Sequence, residues 1–386
     1  MAHGVLKRAL LRHAHRAGPL LAVADAVRTR LGVPYEAFDR HNAAVEGDIA
    51  ARLAAALAAP DTFALWRLVQ GFEARFAAAC GRAHGVGTGS GTAALQLALV
   101  AAGVGPGDEV VTSAHTYIAT LLAIHATGAR PVLVDPDPSD LLIRPEAVAR
   151  ALTPRTRAIV PVHMHGHVVD VRPMLAFGPT VIEDCAQAHG ARRDGMPVPI
   201  GPTGCFSFFP SKPLGGAGNG GMIVTDDAAL AARARAAADP ESDDPLVLRA
   251  ARTPAYLNAL EAAVLDARLP LLEEARRARA HHAEAYLAAL GHLDPVRPHA
   301  SVESAWYSVV VRLSDRDAAR ARLLLRGIGS KVEYAVPVHR TALGRAMGLL
   351  PQGFPVAEDA ARRALSLPAH PFVSTADRQR VIDLLR

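Results

Sequence analysis

The stretch "GTGSGTAALQLALVAAGVGPGDEVVTSAHTYIAT", residues 87–120, changes its hydrophobic period twice. "GTAALQLALVAAG" (91–103) has helical spacing, "DEVVTS" (108–113) is a short β-branched run, and "YIATLLAIHATG" (117–128) is helical again. The alternation continues outward. "ARPVLVDPD" (129–137) reads as a strand, "PEAVARAL" (145–152) as a helix, and "RAIVPVHM" (157–164) and "PTVIEDC" (179–185) as buried strands. Strands alternating with helices at this spacing predict an α/β fold with a mostly parallel sheet covered by helices on both faces.

Upstream, residues 43–59 and 71–83 read as helices. Downstream of residue 227 the pattern changes. A helix-rich stretch runs from about 255 to 290, interrupted by Pro270. Then come "SAWYSVVVRL" (304–313), helical "RDAARARLLLRG" (316–327), "SKVEY" (330–334) and helices at 355–365 and 375–386. These predict a smaller C-terminal α+β domain. The expected division is an N-terminal extension over 1–35, a large domain over 36–245 and a small domain over 246–386, with the boundary in the acidic "ADPESDDP" (238–245).

Composition limits the function classes. The 386 residues are 50% hydrophobic, ample for a core. The net charge of +5 is thin over this length and points away from a nucleic-acid partner. Lys7, Arg8, Arg12 and Arg16 form a basic start that reads as a solvated helix face or, failing that, a contact for an anionic partner. No run approaches the roughly 20 apolar residues of a membrane helix. "GPLLAVADAV" (18–27) lacks a signal-peptide cleavage pattern. Cys80, Cys185 and Cys205 are odd in number and scattered, which argues against a disulfide framework. A cytoplasmic enzyme is expected.

In open α/β sheets ligands bind beyond the carboxyl ends of the strands, so those ends hold the candidates. Ser90, Gly91 and Thr92 open a helix whose first N–H groups lack partners, a ready phosphate cradle. A dinucleotide site is the rival, but Thr92 stands where the third glycine of G-x-G-x-x-G belongs, and no acid ends the next strand. Tyr117 follows a strand end and can stack on a flat ring, or it is simply a rim aromatic. Asp184 ends an apolar strand, a costly place for a carboxylate without a partner unless it caps the next helix. Glu183 alternates to the other face, and Gln187 is three residues on.

The remaining candidates lie in "FSFFPSKPLGGAGNGGMIVTDD" (206–227). Ser207 and Lys212 flank Pro210 beside a glycine-rich loop. A lysine against apolar surroundings keeps its neutral, nucleophilic amine accessible, and glycines let backbone approach a ligand closely. One cofactor explains the whole set: pyridoxal 5′-phosphate. It needs a lysine for a Schiff base, a carboxylate at its pyridine nitrogen, a phosphate cup at a helix start and an aromatic face. "HMHGH" (163–167) invites a metal reading, but Gly166 breaks the strand that would align its three histidines, so no metal is expected.

Together, residues 87–120, "PVLVDPDP", "AIVPVHMHGH", "VIEDCAQAHGA", "FSFFPSKPLGGAGNGG", "FPVAE" and "SLPAHP" resemble the DegT/DnrJ/EryC1/StrS family of sugar aminotransferases over about residues 36–386. The resemblance implies the aspartate-aminotransferase-like fold, type I of the pyridoxal-phosphate enzymes. It implies that Lys212 carries the Schiff base and moves the proton, that Asp184 pairs with the ring nitrogen, and that Gln187 approaches the phenolic oxygen. Tyr117 would stack on the ring, and Ser90, Gly91, Thr92 and Ser207 would hold the phosphate. Glu333, Tyr334 and His339 would face the substrate. It also implies a homodimer with the site at its interface, taking an amino group from glutamate or glutamine to a keto sugar or cyclitol ketone in antibiotic or surface-glycan biosynthesis.

Lys212 argues against the family's dehydratase branch, which has histidine there, and no cysteine follows Cys205 to serve a desulfurase. The chain departs from the family pattern at several points. Pro254 and Tyr256 replace an Asn and an Arg, Glu333 stands where His is frequent, Pro213 where Asn is common, and Asn219 where Asp often sits. These leave two further readings open: decarboxylation or elimination on an amino-acid-like substrate, and a non-catalytic relative that binds the cofactor or a sugar nucleotide.

Overall fold

The computed structural model describes residues 32–239, 255–349 and 353–386. The basic start, the 18–27 segment, residues 240–245 of the expected boundary and Pro254 lie outside the described residues.

The central sheet is built from β1 (His84–Thr88), β2 (Glu109–Ser113), β3 (Arg130–Val134), β4 (Thr156–Val160), β5 (Thr180–Val181 with Glu183–Asp184), β6 (Thr203–Ser207) and β7 (Gly221–Thr225). Their spatial order is β3-β2-β4-β5-β6-β7-β1. The two runs of β5 join the halves of the sheet: Thr180–Val181 pairs with β4, and Glu183–Asp184 pairs with β6. The Ile182 N–H to Ile159 and Asp184 N–H to Pro161 bonds, at 3.0 and 2.8 Å, carry β4 on to Asp184. All neighbours are parallel except β7, which runs against both β6 and β1. The expected mostly parallel α/β sheet is the observed one.

The helices fall close to the expected runs. They include α1 (Glu46–Leu57), α2 (Thr62–Ala79), α3 (Gly91–Ala101), α4 (Ile118–Ala126), α5 (Pro145–Ala151) and α6 (Ala228–Ala238). The second helix starts nine residues before the expected position 71, because Asp61 caps it by accepting the Ala64 N–H at 2.8 Å. It ends at Ala79, ahead of Gly81 at φ 67°. Alternating apolar residues of β1 and β7 and the inner face of α3 form one core that includes Val86, Leu95, Leu99 and Ile223, all buried. Phe72, Phe76, Phe206 and Phe208 pack edge-on across the other face of the sheet.

The C-terminal part carries α7 (Ala259–Arg268), α8 (Leu272–Ala289), α9 (Arg316–Leu325), α10 (Pro355–Arg363) and α11 (Thr375–Leu385) around the antiparallel pair β8 (Val309–Arg312) and β9 (Ala364–Leu367). Pro270 sits in a single 3₁₀ turn between α7 and α8, the interruption expected of proline. Residues 330–334 form only a bridge, Lys331 to Ser366, alongside β9. Val33 bonds to the Gly327 carbonyl and the Gly329 N–H, which ties the start of the described chain to this part.

Candidate active site

The carboxyl ends of β4, β5 and β6 and the start of α3 surround one cavity of about 420 Å³. Ser90, Gly91, Thr92, Tyr117, Asp184, Gln187, Ser207, Lys212, Glu333 and Tyr334 all line it. The structure therefore brings together every residue expected at the cofactor, from residues 90 to 212, and joins to them Glu333 and Tyr334 from the C-terminal part. His339 is placed elsewhere: it is buried, its Nε2 lies 3.1 Å from Glu358 Oε1, and its ring packs on Phe354.

Lys212 owes its place to a turn. Pro210 occupies the second position of Phe209–Lys212, and the Lys212 N–H bonds the Phe209 carbonyl at 2.8 Å. The glycines beyond make close approaches within the chain. A Cβ on Gly215 would lie 2.2 Å from the Pro210 carbonyl oxygen, and one on Gly216 would overlap Glu261 Oε1. Glu261 also accepts the Gly218 N–H at 3.0 Å, and Arg268 donates to the Gly215 and Gly216 carbonyls. This loop is packed and anchored. Burial pushes the Lys212 ammonium below its ordinary pKa, against the opposing charges of Glu333 and Asp184. Its Nζ stands 4.9 Å from the Tyr307 ring centroid.

Asp184 is 6% exposed. Its Oδ2 accepts from Thr120 Oγ1 at 3.0 Å and its Oδ1 from the Ala186 N–H at 3.1 Å. Burial raises its pKa, and those two bonds and the Lys212 charge oppose the rise. Gln187 is locked from both ends of its amide: Oε1 accepts the His165 N–H at 2.7 Å, and Nε2 donates to Tyr334 Oη at 3.1 Å. Tyr117 is half exposed, with its ring 5.3 Å from that of Tyr334. An aromatic face open to the cavity is what a flat ligand needs.

Ser90 caps α3 by accepting the Ala93 N–H at 3.1 Å. The start of α3 lies so close to the end of β6 that a Cβ on Gly91 would fall 2.6 Å from Ser207 Cβ. That approach puts the Ser207 hydroxyl beside the free N–H groups of the first turn, an anion cup of backbone dipoles. An amine, a buried carboxylate, an open aromatic face and an anion cup on one cavity suit pyridoxal 5′-phosphate in donor set and charge.

The histidines diverge because residues 164–166 form one 3₁₀ turn with His165 at φ 61°. His163 meets Glu183 at 2.7 Å, His165 meets Ser308 at 3.3 Å, and His167 meets Ser304 at 2.9 Å. Among the described residues, His163, Glu183 and Cys185 bring potential metal-ligating atoms together. Glu183 already accepts the Ile200 and Gly201 N–H groups, so its oxygens serve the loop at 200.

Sequence reasoning missed Thr120, Tyr307 and Lys331, all of which reach the site. Thr120 carries a signal, since it sits in the first turn of α4, the helix that begins directly after Tyr117. Tyr307 and Lys331 come from the C-terminal part, where spacing says nothing about which side chains turn toward Lys212.

Comparison with known proteins places these features. The DegT/DnrJ/EryC1/StrS aminotransferase family model matches residues 45–386. A Saccharopolyspora erythraea protein named "Erythromycin biosynthesis sensory transduction protein EryC1" is 41% identical, over 82% of this chain and 89% of its own. The dTDP-3-amino-3,4,6-trideoxy-alpha-D-glucose transaminase of Streptomyces venezuelae is also 41% identical, over 82% of this chain and 86% of its own. The crystal structure of DesV from S. venezuelae in complex with a ketimine intermediate superposes with a TM-score of 0.85 at 38% identity, covering 92% of this chain and 98% of that one. The chain belongs to the DegT/DnrJ/EryC1/StrS aminotransferase family and is an aminotransferase dependent on pyridoxal 5′-phosphate.

Proposed function

We propose that this enzyme moves an amino group from glutamate or glutamine to a keto sugar or cyclitol ketone in antibiotic or surface-glycan biosynthesis, as a cytoplasmic homodimer. The observation that carries the reading is the convergence of Lys212, Asp184, Tyr117 and the start of α3 on one cavity.

The residues divide the work. Asp184, steadied by Thr120 and the Ala186 N–H, holds a proton on the ring nitrogen. Pyridoxal 5′-phosphate, when bound, supplies the electron sink that lets a proton leave the carbon bearing the transferred nitrogen. Lys212 Nζ carries that proton, as an amine whose ammonium form burial disfavours. Tyr117 covers one ring face, and Gln187 presents its fixed amide to the phenolic oxygen. Ser90, Gly91, Thr92 and Ser207 hold the phosphate. Glu333 and Tyr334 face the substrate.

The dimer reading is supported by exposed apolar side chains beside the site. Leu57, Phe63 and Trp66 stand exposed at the α1–α2 corner. Trp66 packs edge-on to Tyr256, which pairs with Thr88 next to the phosphate cup. Retention of the amine and the carboxylate in contact with one cavity favours catalysis over a purely regulatory role. The test is reduction of the holoenzyme with borohydride followed by peptide mapping. The cofactor is expected on Lys212, and attachment at another residue rejects the assignment. Addition of glutamate or glutamine should bleach the visible absorbance of the unreduced enzyme.

A further inference from the structure

The cavity must serve two chemically different molecules in turn, and its charges indicate which side chain meets the first. This inference rests on the donor chemistry proposed above. Glutamate and glutamine both bring an α-carboxylate, and a carboxylate leaving water needs a cation or several N–H donors. Among the described residues lining the cavity, the cationic side chains are Lys212 and Lys331. Lys212 is consumed by the chemistry, which leaves Lys331.

Lys331 is held in a built setting. Its Nζ lies 3.2 Å from Glu36 Oε1 and 3.6 Å from Glu333 Oε1. It stands 5.5 Å from the Tyr35 ring centroid and 6.0 Å from that of Tyr307. Glu333 is itself fixed, because its Oε2 accepts from Ser308 Oγ at 2.7 Å. The Lys331 side chain is still 40% exposed, and an ammonium has three donors, of which Glu36 takes one.

Its position relative to the reacting amine is the second observation. Lys212 and Lys331 both lie against the ring of Tyr307. Glu333 is the strongest charge supporting the Lys212 ammonium, ahead of Asp184, and it is also a neighbour of Lys331. The two amines therefore share the Tyr307 ring, with the Glu333 carboxylate beside Lys331 and its charge acting on Lys212. An α-amino acid carries its nitrogen and its carboxyl carbon roughly 2.5 Å apart. A donor whose nitrogen takes the place of the Lys212 amine needs a cation for its carboxylate in the same cavity, and Lys331, at the same Tyr307 ring, is the lining cation that remains to meet it.

We propose that Lys331 is the anchor for the α-carboxylate of the amino donor, and that Glu36 and Glu333 are positioning residues that hold its ammonium at the cavity wall.

The experiment follows loss of the visible absorbance of the holoenzyme against donor concentration. It uses L-glutamate, L-glutamine and 4-aminobutanamide, which is glutamine without its α-carboxylate. Lys331→Met should raise the half-saturating concentration of both amino acids roughly 10- to 100-fold, the worth of one hydrogen bond to a charged group. The limiting rate should change far less, and the preference for L-glutamine over 4-aminobutanamide should fall by the same factor. Lys331→Arg should restore most of the loss, and Lys331→Gln provides the same comparison if Met disturbs folding. Unchanged half-saturation and preference in the Met or Gln variant overturn the proposal, assign the anchor to another group such as one from the partner subunit, and leave the aminotransferase reading intact. A wild-type holoenzyme that reacts with neither amino acid overturns the donor reading and this proposal with it.

Discussion

Thr120 Oγ1 donates to Asp184 Oδ2 at 3.0 Å, with Thr116 Oγ1 2.8 Å behind it. The carboxylate assigned to the ring nitrogen is thus aimed by a neighbouring helix, α4, as well as by its own strand. Thr120→Val removes one bond to a charged group, about 1.5–3 kcal/mol. Cofactor affinity should fall about tenfold or more, and Thr120→Ser should recover it. Absorbance titration of the apoenzyme measures both.

Asp184→Asn keeps the shape of the side chain and removes its charge. Turnover should fall by about a hundred- to a thousandfold, the scale of losing one preorganised electrostatic group at a reacting centre. Cofactor attachment to Lys212 should survive, as read by borohydride trapping. Full activity in this variant would remove Asp184 from the site.

The packing of α3 on β6 predicts the effect of one methyl group. Gly91→Ala places a Cβ 2.6 Å from Ser207 Cβ, so the helix start must move away from the strand end. Loss of cofactor affinity should exceed any loss of thermal stability, since the phosphate cup lies at the contact. Equilibrium dialysis with a parallel melting curve separates the two.

Glu109 supplies a pH prediction far from the site. It is buried and accepts from Arg130, Thr153 and Arg155, and these bonds bring its pKa from the ordinary 4.5 down to about 2. Because the folded value is the lower one, the contribution is fully present above the ordinary value and is lost as pH falls toward about 2. Glu109→Gln should destabilise the protein by about 1–2 kcal/mol at pH 7. Urea melts of the two proteins should converge as the pH is lowered through that window.

The exposed corner of α1 and α2 predicts assembly. Phe63→Glu combined with Trp66→Lys should shift the protein toward monomer and lower its activity, as read by light scattering and turnover. A monomeric wild-type enzyme with full activity would remove the interface from the site.

Much of the site was legible in the sequence because parallel strands present their residues in chain order at one edge. Asp184 and Lys212 stood out as candidates by their apolar neighbours, and both line the cavity. The strand β1 was not recognised, because "HGVGT" has two glycines in place of β-branched residues. The structure gives the reason: a Cβ on Gly85 would lie 2.5 Å from the Glu73 carbonyl oxygen, so the glycines let α2 settle onto the sheet. His339 was expected near the substrate by its place in the chain, yet its partner is Glu358, a contact no local pattern specifies. Tyr307 and Lys331 were invisible for the same reason, as they come to the cavity of Lys212 only through the packing of the C-terminal part on the sheet.

Ser207 and Gly221 face each other across the antiparallel pair of β6 and β7. The segment carrying Lys212 is therefore a hairpin connection, moored at both ends to adjacent strands that also support Asp184 and the start of α3. Lys331, Glu333, Tyr334 and Tyr307 arrive on a separate part of the chain. The residues proposed for proton transfer thus share one frame and those proposed to meet the substrate occupy another, so on this reading acceptor preference can diverge by change in the second frame while the chemistry stays in register.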